Sequence, residues 1–224
     1  MYTNAMKYKT KSELIANEVD RFNPNLVVDI GYAQEPNSFL CKMGREVVGV
    51  DILSKPSPYS KTFVCDLNKD GLPFEAGSVD VVTMGCTLAH VGHPLRLLAD
   101  INRVLKPNGT LILSSPNPHY YWEVVMNVFF SFFSKRVSPL KLEEHFYDFS
   151  RYNIRSCALV TGFEVEKEVG VTFQLVKTPI KFNPLRLPGL AYEIIYVLKK
   201  TGEPRGFGKA RTEKGVEAFD TNLF

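Results

Sequence analysis

Short apolar runs recur along this chain, and most of them stop at an acid or a glycine. Leu26–Ile30 runs into Gly31, Val47–Val50 into Asp51, Thr62–Cys65 into Asp66, and Val79–Met84 into Gly85, with Gly109–Ser114 as a fifth run. Runs this short and this apolar, set apart by helical or loop segments, predict parallel strands covered on both faces. Between them the period changes. Thr10–Phe22 places Leu14, Ile15, Glu18 and Val19 at helical spacing and ends at Asn23-Pro24-Asn25. Pro94–Leu105 carries Leu95, Leu98, Ile101, Val104 and Leu105 on one face. A proline suits its first turn, and Pro107-Asn108-Gly109 closes it. Ser150–Val160 predicts another helix, stopped by Gly162. Phe163–Val169 alternates apolar and charged residues and predicts a half-exposed strand, and Tyr192–Leu198 is a final apolar strand. Alternating β and α segments of this kind make a doubly wound α/β sheet.

Length and charge narrow the picture. A chain of 224 residues suits one α/β domain with a full core. Its 45% hydrophobic and 23% charged residues are ordinary globular usage. A net charge of +3 without a basic stripe gives no footprint for nucleic acid. Cys41, Cys65, Cys86 and Cys157 are widely spaced and include no C-x-x-C pair, which points to reduced thiols. The first residues lack the apolar core of a signal peptide. Tyr120–Phe133, the longest apolar stretch, is broken by Glu123 and Asn127 and is too short to cross a bilayer. The expectation is a cytoplasmic protein: one domain over 1–200 with an inserted aromatic cover segment at 117–148, then a flexible tail at 201–224.

Sheets of this type bind ligands at the carboxyl ends of their strands. The acids and glycines at those ends, Asp29, Gly31, Asp51, Asp66 and Gly85, are therefore candidate binding residues. Asp51 stands 22 positions after Asp29, at the end of the next strand. An acid there can accept hydrogen bonds from both hydroxyls of a ribose. Asp66, one strand further on, can accept from an exocyclic adenine amine. Each acid alone is equally a helix cap. Three on successive strands point to an adenosine-bearing ligand.

With those residues in view, the chain resembles the class I S-adenosylmethionine-dependent methyltransferases. Val27-Val28-Asp29-Ile30-Gly31 resembles their opening strand and glycine turn, and Val48-Gly49-Val50-Asp51 their second-strand acid. Cys65-Asp66-Leu67, with Leu72-Pro73-Phe74 and Ser78–Val82, resembles the adenine-binding segment and the fourth strand. Ile101–Asn117 is similar to the family's helix, turn and fifth strand nearly residue for residue. The resemblance runs from about Leu26 to Leu198. It implies a Rossmann-like, mostly parallel sheet with an antiparallel last strand. It also implies S-adenosyl-L-methionine as cofactor, held by Asp29, Gly31, Tyr32, Ala33, Asp51, Ile52, Asp66, Leu67 and Gly85. The loop from Gly85 to His90 would face the transferred methyl.

Two departures stand out. The usual glycine turn, Asp-x-Gly-x-Gly-x-Gly, here reads Asp29-Ile30-Gly31-Tyr32-Ala33-Gln34-Glu35. Alanine is the mildest replacement for a close-approach glycine. On that reading Ala33→Leu blocks the cofactor while the fold survives. The Gly31-Tyr32-Ala33-Gln34 wording resembles a branch associated with surface-glycan genes. The second departure is Leu88-Ala89-His90, where related enzymes carry an acid before the histidine.

His90 is the candidate catalytic residue, as general base for a hydroxyl acceptor, with a structural hydrogen bond as the plainer reading. His90 and His93 lack a third ligand nearby in sequence, so no metal is assigned. Tyr120–Phe133, followed by Lys135 and Arg136, is read as a helix covering the fifth strand or as a lid facing a lipid tail or membrane interface. A small-molecule or lipid-linked glycan acceptor follows, with peripheral membrane contact through 120–136. The oligomeric state stays open. Two other functions compete. A nicotinamide-dependent oxidoreductase needs glycines at 31, 33 and 36, where the chain has Gly31, Ala33 and Pro36. A non-catalytic binding protein would keep the fold without the cofactor.

Overall fold

A computed structural model describes residues 9–122, 124, 125, 128, 147–175, 181–205, 209–212 and 215–218. The expected alternation is present. Helix α1 spans Lys11–Asp20, capped by the Thr10 hydroxyl accepting the Glu13 N–H, and leads into β1, Leu26–Ile30. A one-turn α2, Ser38–Cys41, precedes β2 at Glu46–Asp51 and β3 at Lys61–Val64. Strand β4, Val79–Gly85, is followed by a 3-10 turn at Thr87–His90, α3 at Pro94–Val104 and β5 at Leu105–Pro116. Then come α4, Arg151–Val160, β6, Phe163–Gly170, and the two-residue strands β7, Phe173–Gln174, and β8, Lys181–Phe182. Strand β9, Glu193–Lys200, closes the sheet.

Seven strands lie in the order β3-β2-β1-β4-β5-β9-β6, and β9 runs antiparallel to both of its neighbours. The apolar runs explain the layering, because alternate residues of each strand enter opposite cores. Val28, Ile30, Val82, Met84, Leu111 and Leu113 face α3 and α4, whereas Val27, Val81 and Ile112 face α1 and α2. Helix α3 supplies Leu97, Leu98, Ile101 and Val104 to the first core, and α1 supplies Leu14, Ile15 and Val19 to the second.

Three details differ from the sequence expectation, each for a local reason. Leu105 pairs with Val79 before the irregular turn at Lys106–Gly109, so it opens β5 and does not end α3. Strand β6 carries a bulge between Val165 and Lys167. A bulge reverses which residues face which side. Val165 therefore packs with the α3/α4 core but Val169 with the α1/α2 core, and Glu168 turns toward α4 to meet Arg151 and Arg155. Beyond Lys200 the chain stays pinned at first, with Arg205 N–H donating to the Val160 carbonyl and the Asn102 amide to the Gly202 carbonyl. Further on, Lys209–Thr212 pairs with Gly215–Ala218.

Most of 117–148 lies outside the described residues, including Phe129, Phe130, Phe132, Phe133, Lys135 and Arg136. Its start is packed. Tyr120 is buried, its hydroxyl meets the Gln174 carbonyl, and its ring stands edge-on to Tyr121, Phe173 and Tyr192. Among the described residues no helix is long and apolar enough to cross a membrane.

Candidate active site

The site begins where β1 stops. Gly31 leaves the strand at φ +78° with its N–H on the Val50 carbonyl, so the chain bends across the end of β2. A Cβ at this position would lie 2.0 Å from the Thr87 hydroxyl, which makes glycine obligatory on steric as well as conformational grounds. The next two side chains turn inward. Tyr32 is 2% exposed and Ala33 4%. The Tyr32 ring lies over Gly49, where a Cβ would come within 2.6 Å of it, and pairs with Tyr59 at 5.6 Å.

Two buried carboxylates stand behind this turn. Asp51, at the end of β2, accepts the Ala33 N–H on one oxygen and the Leu53 N–H on the other, both at 2.9 Å. Asp29 accepts the Tyr59 hydroxyl at 2.5 Å and the Thr83 hydroxyl at 2.6 Å. Burial pushes the Asp29 pKa up to about 6, the two hydroxyls pull against that shift, and the charge of Asp51 adds to it. Tyr59 in turn accepts the Asn37 N–H at 2.6 Å, and burial together with Asp29 drives its phenol upward.

On the far side, β4 ends at Gly85, whose missing Cβ would meet open space. Cys86 follows in the left-handed region, at φ 59°. Its thiol lies 2.9 Å from Glu193 Oε1, 3.5 Å from the Ser114 hydroxyl and 3.7 Å from Lys11 Nζ.

Together these strand ends and the first turn of α1 enclose a cleft of about 330 Å3, within the roughly 300–1,000 Å3 usual for small-molecule sites. Of the candidate residues, Asp29, Gly31, Asp51, Ile52, Gly85 and His90 all line it. Ile52 is 58% exposed there and Leu53 is exposed beside it, an apolar surface next to a carboxylate. His90 lies at the end of the 3-10 turn, on the exposed side of the cleft.

Four expected residues are placed elsewhere. Tyr32 and Ala33 give their side chains to the core, and Ala33 serves the site only through its N–H. Asp66 does not line the cleft; its carboxylate is taken by the Asn68 N–H and by Lys69 at 3.0 Å, which hold its pKa low. Leu67 lines a different hollow, of about 360 Å3, between α3 and the β3–β4 connection. That hollow offers few free groups, because Arg103 donates to the Leu72 and Phe74 carbonyls and Asp100 accepts the Leu72 N–H. Among the described residues no three His, Cys, Asp or Glu side chains group to hold a metal.

Lys11, Ser12 and Cys86 line the cleft without having been singled out. Cys86 had a signal, since it falls directly after Gly85 at a strand end. Lys11 had none, because a lysine opening an amphipathic helix reads as solvated.

The inward turn of Ala33 changes the outcome expected of Ala33→Leu. Extra volume in a packed core costs about 1–3 kcal/mol. The variant should therefore lose stability in chemical denaturation, and weaker ligand binding should appear only as a consequence. A variant that keeps the parent's unfolding midpoint yet fails to bind ligand would place the side chain in the cleft instead.

Comparison with known proteins fits this geometry. Residues 28–113 match the methyltransferase domain family. A demethylmenaquinone methyltransferase of Staphylococcus saprophyticus is 32% identical over 108 residues, which are 40% of this chain and 46% of that protein. The chain thus matches about half the length of that relative. A S-adenosylmethionine-dependent methyltransferase of Methanosarcina mazei superposes with a TM-score of 0.57 at 19% identity, over 83% of this chain and 98% of that one. The 1,6-didemethyltoxoflavin-N1-methyltransferase of Burkholderia thailandensis, solved with 1,6-didemethyltoxoflavin and S-adenosylhomocysteine bound, superposes with a TM-score of 0.54 at 17% identity, over 85% of this chain and 76% of that one. The matched residues run from β1 into β5, and the sheet order and the superpositions agree on the Rossmann-like fold of these methyltransferases.

Proposed function

We propose that this protein transfers a methyl group from S-adenosylmethionine to a hydroxyl of a small, glycan or lipid-linked acceptor. The observation that carries the reading is the cleft at the ends of β1, β2 and β4, where the Asp51 carboxylate stands beside the exposed Ile52 and Leu53. The residues present fit the donor. Each Asp51 oxygen has a lone pair left after its backbone bond, enough to accept ribose hydroxyls. Ile52 and Leu53 offer an apolar surface to an adenine. Asp29 and Glu35 give the cleft a negative field that favours a cation. Gly85 keeps one wall free of side-chain bulk. S-adenosylmethionine, when bound, supplies an already electrophilic sulfonium methyl. The protein's own task is therefore to align the acceptor, exclude water and manage the acceptor's proton. His90, at the open side of the cleft, is the residue proposed to take that proton on an imidazole nitrogen.

Support for a lipid-linked acceptor comes from an exposed apolar rim. Leu185, Leu187 and Leu190, with Leu187 61% exposed, follow β8, while Val124, Val125 and Val128 are exposed after β5. Tyr192, at 47% exposure, joins the two stretches through its ring contact with Tyr120 and precedes Glu193, which touches Cys86 in the cleft. Such a rim suits an apolar tail or membrane interface. Calorimetry should show saturable S-adenosylhomocysteine binding at one per chain. Incubation with methyl-labelled donor and a total lipid extract should move label into the organic phase. Label confined to a water-soluble glycan would remove the lipid, and absence of donor binding would remove the function.

A further inference from the structure

The described lining of the cleft is unbalanced in charge. Asp29, Glu35 and Asp51 stand against one lysine, Lys11, and no arginine. This suits the sulfonium and ammonium of the proposed donor and repels its carboxylate, which needs a cation of its own. Lys11 is already engaged. Its Nζ lies 3.2 Å from Glu193 Oε1, the oxygen that also accepts the Cys86 thiol. The Lys11 side chain is 33% exposed on a flexible stem at the first residue of α1, whereas Glu193 is 14% exposed at the start of β9. Glu193 Oε2 makes no hydrogen bond among the described residues.

We propose that Lys11 is a shared cation: the donor's carboxylate draws it from Glu193, so donor binding uncovers a largely buried carboxylate beside the cleft-lining Cys86. The inference rests on the methyltransferase reading above. Burial works to lower the pKa of Lys11, but Glu193 and Cys86 outweigh it and raise the value, so the ammonium is available throughout the neutral range. Burial and Glu193 push the Cys86 thiol up to about 11, so it remains a hydrogen-bond donor. Once Lys11 has moved, Glu193 keeps only that thiol. It then becomes a better acceptor for a hydroxyl entering the cleft, which favours donor binding before acceptor binding.

Two ligands separate this from a structural role: S-adenosylhomocysteine, which has the carboxylate, and 5′-methylthioadenosine, which lacks it. In calorimetry with the full chain, Lys11→Met should weaken the first by about tenfold or more and leave the second within about twofold. Glu193→Gln should do the reverse, strengthening S-adenosylhomocysteine severalfold by releasing Lys11, with no effect on 5′-methylthioadenosine. In the Lys11→Met background that gain should vanish. Should Lys11→Met not fold, Glu193→Gln alone decides. An unchanged ratio of the two affinities in either variant, or weaker S-adenosylhomocysteine binding in Glu193→Gln, overturns the shared cation and leaves the donor reading standing. If the parent binds neither ligand, the donor reading fails, and the inference with it.

Discussion

Asp51→Ala should weaken S-adenosylhomocysteine binding by about 10- to 150-fold, the loss of about 1.5–3 kcal/mol expected for hydrogen bonds to a charged group. The effect has two sources, and they can be separated. One is direct, since the carboxylate is the acceptor proposed for the ribose hydroxyls. The other is indirect, because the same two oxygens hold the Ala33 and Leu53 N–H groups and so fix the turn after β1 and the exit from β2. Alanine strands both donors, and the buried Ala33 N–H costs about 1–3 kcal/mol when orphaned, whereas the part-buried Leu53 N–H can turn to water. Asp51→Asn keeps one carbonyl oxygen for one of these N–H groups but loses the charge. It should unfold nearer to the parent than Asp51→Ala does, while still binding weakly. Calorimetry and thermal melts on the three proteins decide the matter. Affinity that survives in both variants would remove Asp51 from the donor site.

The sheet was readable because its strands are short apolar runs ending in acids and glycines, a pattern that demands cover on both faces. The site was readable to the extent that strand ends define it: Asp29, Gly31, Asp51, Ile52, Gly85 and His90 do share one cleft. What sequence could not supply were facts settled by neighbours distant in the chain. Tyr32 and Ala33 turn inward because Gly49, on the next strand, leaves room for the Tyr32 ring. Glu193 meets Cys86 across 107 positions, a contact that exists only because β9 inserts beside β5. The reversal of side along β6 depends on one extra residue that alternation alone does not reveal.

Asp29→Asn should flatten part of the pH dependence of stability. In the folded protein the Asp29 pKa lies near 6, against an ordinary value of 3.8, chiefly because the carboxyl is buried. A carboxyl whose pKa is raised on folding holds its proton more tightly in the native state, so protonation favours that state. Its contribution is fully present below about pH 4 and is lost as pH rises through 6. At about 1.36 kcal/mol per unit, the change across this window is roughly 3 kcal/mol. Asparagine does not titrate, yet it can accept the Tyr59 hydroxyl on its carbonyl and donate its amide to the Thr83 oxygen, so both partners stay satisfied. Urea unfolding at pH 4 and pH 7 tests this, because every other titrating group cancels in the difference between parent and variant. The variant should be the more stable of the two at pH 7 relative to their order at pH 4, by about 2–3 kcal/mol. A difference that stays constant between the two pH values would mean that Asp29 titrates as an ordinary exposed acid. Tyr59 and Thr83 would then be holding the carboxylate at no net electrostatic cost, and Asp29 would stay fully ionised from about pH 5 upward.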